Sequence, residues 1–396
     1  MRRVYVRAVG ARTALGGTWH ETVAALAEGR SAVQAISHFD VTGFPCTVGA
    51  PIEEDGASGD RRLRYARAAA REAWGAARVG AEPERIGVFV GAEPGRPCLE
   101  DVSSLDAALD RSGRFLADRL DPVQRDRLAS HAAAVSPATI ASALAREIGA
   151  GGPVLTISLA CASGCAAVAA AARAIRSGCC DIALCGGTGA EVDAFVLAGF
   201  GLLGALSARG HSCPFDLRRD GFVLGEGAAM VVLSCEAGPA EVEVAGWGGT
   251  LDAGHLTAPD PGGAGAARAM QIALRSADLS CVDYVQAHGT STPLNDAVEA
   301  AAIRRVLGSG LRRCHVSSVK GALGHCIAAA GAIGFLCAVE AVGNGRVLPT
   351  AGLREPDAEC ELPHVMHEAI HREARSALVN AFAFGGANWS IAVRRP

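Results

Sequence analysis

Lysine is almost missing from this chain of 396 residues: of its 37 basic side chains all but one are arginine. The exception, Lys320, lies in SSVKGALGHCIAAAGAIG, five residues before a histidine. Arg and Lys exchange freely on a solvated surface, but a planar guanidinium cannot replace a compact ammonium in a tight polar site. Lys320 therefore marks a candidate site, the plain alternative being a chance survivor of an Arg-favouring background. Aromatic residues are also few, 5% of the chain against 50% hydrophobic residues overall. This argues against an aromatic-rich binding surface and suits helices and strands packed closely through Ala and Gly. The net charge is only −4, which leaves no basic footprint for nucleic acid. The 14 cysteines form no CxxC pair and no regular framework, so neither a disulfide scaffold nor structural zinc is expected. No charged start with an apolar segment and cleavage site opens the chain. The most apolar stretch, IAAAGAIGFLCAVEAVG, is interrupted by Glu340 and reads as a buried helix rather than a membrane span. Together these absences predict a reduced, cytoplasmic protein.

The length favours two domains, or one body made of two similar halves. Apolar β-rich runs (VYVRAV, RIGVFVG, VLTISLA, DIALCGG) alternate with Ala-rich helical ones, and EVEVAGWGG, VDYVQAHG, HVSSVKG, SALVNAFAFGG and WSIAVRR repeat the theme later. Such alternation predicts an α/β fold with largely buried strands. Two segments rhyme across the halves, VLTISLACASGCAAVAAAARAIRSG and CHVSSVKGALGHCIAAAGAIGFLCAVEAVGNG. Each reads as a strand, a short turn, a reactive residue, and a helix apolar nearly all round. Helices of that kind are buried on every side, which predicts a central layer with one helix from each half between two sheets. Cys161 and His325 would then stand at the N-termini of those helices.

Cys161, in ACASGC, occupies a strand-to-helix turn where unpaired N–H groups and the helix dipole favour a thiolate. Cys165, Cys179, Cys180, Cys185 and Cys337 read instead as small core hydrophobes. His288 ends the strand VDYVQA and opens the polar loop HGTSTPLND. A lone histidine in an apolar stretch is more often structural, yet two at element ends, with a cysteine and the single lysine, point to a site. Asp296 and Glu299 fit a helix-capping arrangement, the reading kept for Asp296. No G-x-S-x-G elbow is present, and neither GxGxxG nor a Walker loop follows a strand, so hydrolase, dehydrogenase and NTPase readings lose their main warrant.

On ACASG around Cys161, PFDLRRDGFVLGEGA, AHGTSTPLND, SSVKGALGHCIAAAG and NAFAFGGAN, the chain resembles the β-ketoacyl-acyl-carrier-protein synthases, the type II elongating ketosynthases of the thiolase superfamily. RRLRYARAAAREA and HFDVTGFP extend the resemblance over nearly the whole length. It implies a five-layer αβαβα fold with two buried central helices, with residues 1–240 carrying the nucleophile and 241–396 both histidines and the lysine. It also implies that Cys161 takes an acyl chain from a carrier protein, and that His288 and His325 assist decarboxylation of a malonyl-type extender and stabilise the enolate. Main-chain N–H groups of Cys161 and Phe384 would form an oxyanion hole, Phe384 also serving as gate. Lys320 and Glu299 would form a charged pair behind the histidines, with Asp296 and Asn388 supporting. Thr290 and Thr292 would bind the pantetheine arm.

No metal or tightly bound cofactor is implied. The implied partners are an acyl carrier protein and a second subunit, as homodimer or heterodimer. Arg61, Arg62 and Arg64 are candidate docking charges for the carrier, a solvated helix face being the plain alternative.

The chain departs from the family pattern at Ala383, which replaces the middle Gly of the usual FGFGG, and at Cys213, where a basic residue commonly precedes Pro-Phe-Asp in a loop that is shorter here. Leu159 and Gly189 are also unusual, and the segment 95–135 diverges most. The main reading is a ketosynthase condensing a Cys-bound acyl chain with malonyl-carrier protein, in fatty-acid or polyketide assembly. The alternatives are the catalytic subunit of an obligate heterodimer with a chain-length partner, a Cys-dependent acyltransferase, or a non-condensing carrier-binding scaffold.

Overall fold

The computed structural model describes residues 2–53, 59–96, 104–126, 135–238 and 241–396. Ten strands carry the architecture: β1 (Tyr5–Thr13), β2 (Ile86–Gly91), β3 (Val154–Ile157), β4 (Ile182–Ala190), β5 (Leu224–Ser234), β6 (Glu243–Leu251), β7 (Tyr284–Gln286), β8 (His315–Ser317), β9 (Ser376–Phe382) and β10 (Ala387–Arg394). Hydrogen bonding follows the order β8-β7-β9-β10-β6-β1-β5-β4-β2-β3, with the short strands Gln34–Ala35 and Val48–Ala50 attached off this path.

The order contains the same motif twice. In the first half β1 and β5 are antiparallel, β5 and β4 antiparallel, and β2 pairs in parallel with both β4 and β3. In the second half β6, β10, β9, β7 and β8 repeat those relations in turn. Between these ten strands the halves are joined at Tyr5 with Glu243, and isolated bridges such as Leu224 with His325 also link them. All eleven residues of β5 are buried, as expected for a strand covered on both faces, which reads as a continuous apolar run.

Among the described helices, six longer ones fill the layers: α1 (Arg61–Ala77), α2 (Ala138–Ile148), α3 (Ser163–Arg176), α4 (Ala264–Ser276), α5 (Pro293–Leu307) and α6 (Ala330–Asn344). α1 packs on β1 and β5, and α4 on β6 and β10, while α3 packs on β4 and α6 on β9. Helix, sheet, helix, sheet, helix is thus the layer sequence, with α3 and α6 at the centre. The expectation of two central helices holds, and α6 is buried at every residue from Gly331 to Val342. Ile327–Asn344 is the one helical span among the described residues long and apolar enough to cross a membrane, and 83% of it is enclosed by the rest of the protein.

Glycine sets the approach of the central helices. A Cβ on Gly164 would lie 2.7 Å from the carbonyl oxygen of Ala328, and one on Gly331 would lie 2.8 Å from the main-chain nitrogen of Cys165. Both helices are entered through a one-turn 3₁₀ segment, Ala160–Ala162 and Ile327–Ala329. In each the first residue is left-handed, with φ of 47° at Ala160 and 42° at Ile327. That conformation is unfavourable for a residue with a Cβ. Surrounding packing therefore has to hold both turns.

Candidate active site

Where these two turns meet, a cavity of about 340 Å³ opens, and Cys161, His288 and His325 all line it. Cys161 sits in the middle of the first 3₁₀ turn and is 7% exposed. The sequence favoured a thiolate here, but the surroundings hold a neutral thiol. Burial pushes the Cys161 thiol up to about 12, with Glu93 and Glu191 adding to the shift and Lys320 opposing it.

His288 leaves the end of β7. His325 stands two residues ahead of the second 3₁₀ turn rather than at the helix terminus expected from the sequence. Its main chain is fixed at the start of β5, the amide donating to the Val223 carbonyl at 2.7 Å and the carbonyl accepting from Gly225 N–H at 3.1 Å. The rings are nearly perpendicular, with centroids 5.6 Å apart. Each has its Nδ1 occupied. That of His325 accepts the Ile327 N–H at 3.1 Å, and that of His288 lies 3.4 Å from Lys320 Nζ. An ammonium can only donate, so Nε2 is the protonated nitrogen of both neutral rings. Burial and then the Lys320 charge hold both imidazoles well below their usual range. The site therefore presents two neutral Nε2–H donors at physiological pH.

Lys320 is 7% exposed, and its ammonium also donates to the carbonyl oxygen of His288. The ion pair expected with Glu299 is not formed: among the described residues no salt bridge joins them. Glu299 Oε1 and Oε2 instead accept the N–H groups of His288 and Gly289, both at 2.7 Å, and Oε1 also accepts from Asn380 Nδ2 at 3.0 Å. Lysine and glutamate thus grip the same main-chain segment, one through a carbonyl and the other through amides. Burial raises the Glu299 carboxyl to about 7. It lowers Lys320, Glu299 being the largest charge that opposes this.

Asp296 is also corrected. It does not cap its helix in the expected box but, fully buried, accepts N–H groups from Phe215 at 2.8 Å, Thr290 at 2.9 Å and Ser291 at 3.0 Å. Asp296 and Glu299 lie three apart and so on one face of α5. Together they clamp the loop 288–291.

Thr290 and Thr292 line the cavity with their hydroxyls 2.9 Å apart. Phe384 and Asn388 line it too, and Asn388 Nδ2 donates to Asp252 Oδ1 at 2.8 Å and to the Gly386 carbonyl at 3.0 Å. The structure accommodates several departures noted in the sequence. Ala383 needs no left-handed backbone; Gly385 and Gly386 supply it, at φ of 83° and 80°. Gly189 is required, since a Cβ there would lie 2.5 Å from the Cys326 carbonyl oxygen. Cys213 is buried, its N–H donating to Ser291 Oγ at 3.0 Å, so it is not a surface position. Of the divergent segment, 97–103 and 127–134 lie outside the described residues.

Sequence reasoning gave no role to Phe200, Phe222, Phe382 or Asn380. Phe222 packs edge-on against His325 with centroids 5.3 Å apart, and Phe382 lies 5.7 Å from His288. In a chain so poor in aromatics, the clustering of Phe residues beside DGFVLGEG and NAFAFGG was the available signal.

Burial removes Arg62 from the candidate docking charges, and Arg61 is engaged in an internal ion pair while keeping a partly exposed side chain. Arg61 is paired with the buried carboxylate of Glu226, which also accepts Tyr65 Oη at 3.2 Å and Ile52 N–H at 3.0 Å. Arg62 is 4% exposed and bonded to Asp60 and to the Glu93 carbonyl. Arg64 donates to the Gly59 carbonyl at 2.8 Å. The cause is local: Asp60 caps α1 and Glu226 is buried beneath it, so both guanidiniums serve internal carboxylates. Among the described residues no disulfide forms and no cluster is arranged to hold a metal ion.

Comparison with known proteins gives consistent matches. The family model described as beta-ketoacyl synthase, N-terminal domain, matches residues 1–237, and the C-terminal domain model matches 242–354. A 3-oxoacyl-[acyl-carrier-protein] synthase 2 from Synechocystis is 34% identical, covering 100% of this chain and 98% of its own length. The actinorhodin polyketide putative beta-ketoacyl synthase 1 of Streptomyces coelicolor is 35% identical over 99% of this chain and 88% of its own. Among solved structures, the ishigamide ketosynthase/chain length factor superposes with a TM-score of 0.86 at 31% identity, covering 100% of this chain and 99% of that one.

Proposed function

The chain belongs to the beta-ketoacyl synthase family, with a thiolase-type fold and ketosynthase-type condensing chemistry, and on that premise we propose that it is the catalytic subunit of a ketosynthase that works beside a chain-length-factor partner. Its substrates would be an acyl chain delivered by an acyl carrier protein and a malonyl unit on the same kind of carrier. The two halves, 1–240 and 241–396, would contribute the nucleophile and the histidine-lysine set respectively.

The observation that carries the chemistry is the meeting of one thiol and two neutral Nε2–H donors in a single cavity. In the first step Cys161 Sγ attacks the acyl thioester, its proton passing to the departing pantetheine thiolate, so that an acyl-Cys161 thioester forms and a free carrier thiol leaves. In the second, the carboxylate of the malonyl unit leaves as CO2 and the bonding pair becomes an enolate. Its oxygen is held by the two imidazole N–H groups, and the Lys320 charge behind them favours the negative charge. The enolate carbon attacks the Cys161 thioester, and main-chain N–H groups of Cys161 and Phe384 would receive the tetrahedral oxyanion. Collapse releases the β-ketoacyl-carrier protein and returns the thiol once it regains a proton. Neutral imidazoles suit this step, because they donate without protonating the enolate outright.

Two observations support a partner subunit. The ishigamide structure of matching fold is a ketosynthase/chain length factor. In addition, β3 is an edge strand whose outer ladder is unpaired among the described residues, and it exposes Leu155 at 50% with Leu159 at 37% just beyond it. The test is to incubate the chain, alone and co-purified with a candidate partner, with acyl carrier proteins of several acyl lengths and to read intact masses. Acyl loading of the wild type, its loss in Cys161→Ala, and condensation only with the partner are the expected results. Condensation by the chain alone would exclude an obligate heterodimer, and full condensation by His288→Ala would overturn the mechanism.

A further inference from the structure

Behind the site lies a second cavity of about 10 Å³, lined among others by Lys320, Gln286, Asn380, Cys326 and Gly334. Its volume is that of a single water. Lys320 has three N–H donors, and the described contacts use two, on the carbonyl oxygen and Nδ1 of His288. With no carboxylate in ion-pair range among the described residues, a third donor is left in a buried place, where an unmet polar group is costly.

The other polar side chains of the cavity have complementary capacity. Tyr284 Oη donates to Gln286 Oε1 at 2.5 Å, which fixes the amide so that Nε2 faces away from the tyrosine, and Nε2 has only a long 3.5 Å contact, to the Ala287 carbonyl. Asn380 gives Nδ2 to Glu299 at 3.0 Å, and its Oδ1, which has two lone pairs, accepts one bond, from Ser390 Oγ at 2.8 Å. The cavity thus offers two donors and one acceptor around a space of one water. Gly334 lines it beside the glutamine: a Cβ there would come 3.2 Å from Gln286 Cγ and 3.4 Å from Val379 Cγ1, crowding the Gln286 side chain.

We propose that this cavity holds one structural water that accepts the third N–H of Lys320 and an N–H of Gln286 and donates to Asn380, making Gln286 and Gly334 positioning residues for the lysine. The water occupies the place an acidic partner would otherwise take. It holds the ammonium against His288 without neutralising its charge, leaving that charge free to act on Cys161 and on an enolate. This assignment rests on the ketosynthase reading for its consequence in catalysis but not for its detection.

A crystal structure of the protein at a resolution that shows ordered solvent is the direct test. One water peak within hydrogen-bond distance of Lys320 Nζ and Gln286 is expected, and an empty cavity would overturn the proposal. The second measurement is the rate at which iodoacetamide alkylates Cys161, followed by mass of its peptide at pH 9, which requires no condensing activity. Gly334→Ala, whose methyl crowds Gln286 against the cavity, and Gln286→Met, which removes the water's anchor, should each lower that rate about three- to tenfold, because a less stable ammonium lowers the thiol pKa less. Gly334→Ser, whose hydroxyl can replace the water oxygen, should restore it. Unchanged rates in the first two variants, with unfolding temperatures near wild type, would show that the cavity does not tune Lys320. A positive result with a chain that condenses nothing even when co-purified with its partner would leave the water assigned and refute only the ketosynthase reading.

Discussion

Lys320 shows how one side chain acquires meaning from its surroundings. Its ammonium bonds the carbonyl and Nδ1 of His288 from a position 7% exposed. A guanidinium is wider and planar, and would displace the imidazole it serves. Lys320→Arg should lower condensation about 100-fold, the scale expected for misplacing a reacting group by about 1 Å. Thermal unfolding measured alongside should change little, and a fully active variant would return the lysine to chance.

The buried histidines make a second prediction at this scale. Their folded pKa values lie below the unfolded value near 6.5, so below that pH the unfolded chain binds more protons than the folded one. Stability from this source is present above pH ~6.5 and is lost as pH falls, by up to ~1.4 kcal/mol per pH unit for each ring. Denaturant titrations of wild type and His288→Gln between pH 5 and 7 should show the shallower dependence in the variant.

At the scale of elements, α5 and the pair of central helices do most to shape the site. α5 contributes two carboxylates that accept five main-chain N–H groups, from Phe215, Thr290, Ser291, His288 and Gly289. Glu299→Gln retains one acceptor oxygen but turns an NH2 group toward an amide, leaving a buried donor unmet at a cost of about 1–3 kcal/mol. A lowered unfolding temperature together with a reduced turnover number is expected, since the same loop carries His288. The helices α3 and α6 touch through glycine, and Gly164→Ala would push a methyl against the Ala328 carbonyl and the Ala332 amide, at 2.7 and 2.9 Å. Because both obstacles are main chain, the helices must separate, at about 1–3 kcal/mol. Calorimetry of that variant checks the estimate.

At the scale of the whole molecule, two repeats of one strand order share a central core, and each keeps an outer cluster largely of its own. α3 and α6 come from different halves yet bury their faces together, so neither half closes the central core alone. The chain carries Trp19 and Trp74 in the first half and Trp247 and Trp389 in the second. Unfolding followed through tryptophans retained in either half should give coincident transitions, the behaviour of one cooperative unit. Separate midpoints would show that the halves fold independently.

Much of this was legible in one dimension because it depends on local pattern. Alternating apolar runs give buried strands, and two helices apolar on all faces have to be central. The turns beginning at Ala160 and Ile327 follow from strand-turn-helix segments that rhyme. What stayed hidden depends on who meets whom. The carboxylate expected to pair with Lys320 grips main-chain amides instead, and Arg61 and Arg62 are consumed by Glu226 and Asp60. The Cys161 thiol is raised by burial despite its helix-start position. Sequence determines which groups a segment can offer; dielectric, partner and distance are set only when segments remote in the chain are packed together. A charge is worth what its surroundings make it, and those surroundings exist only in three dimensions.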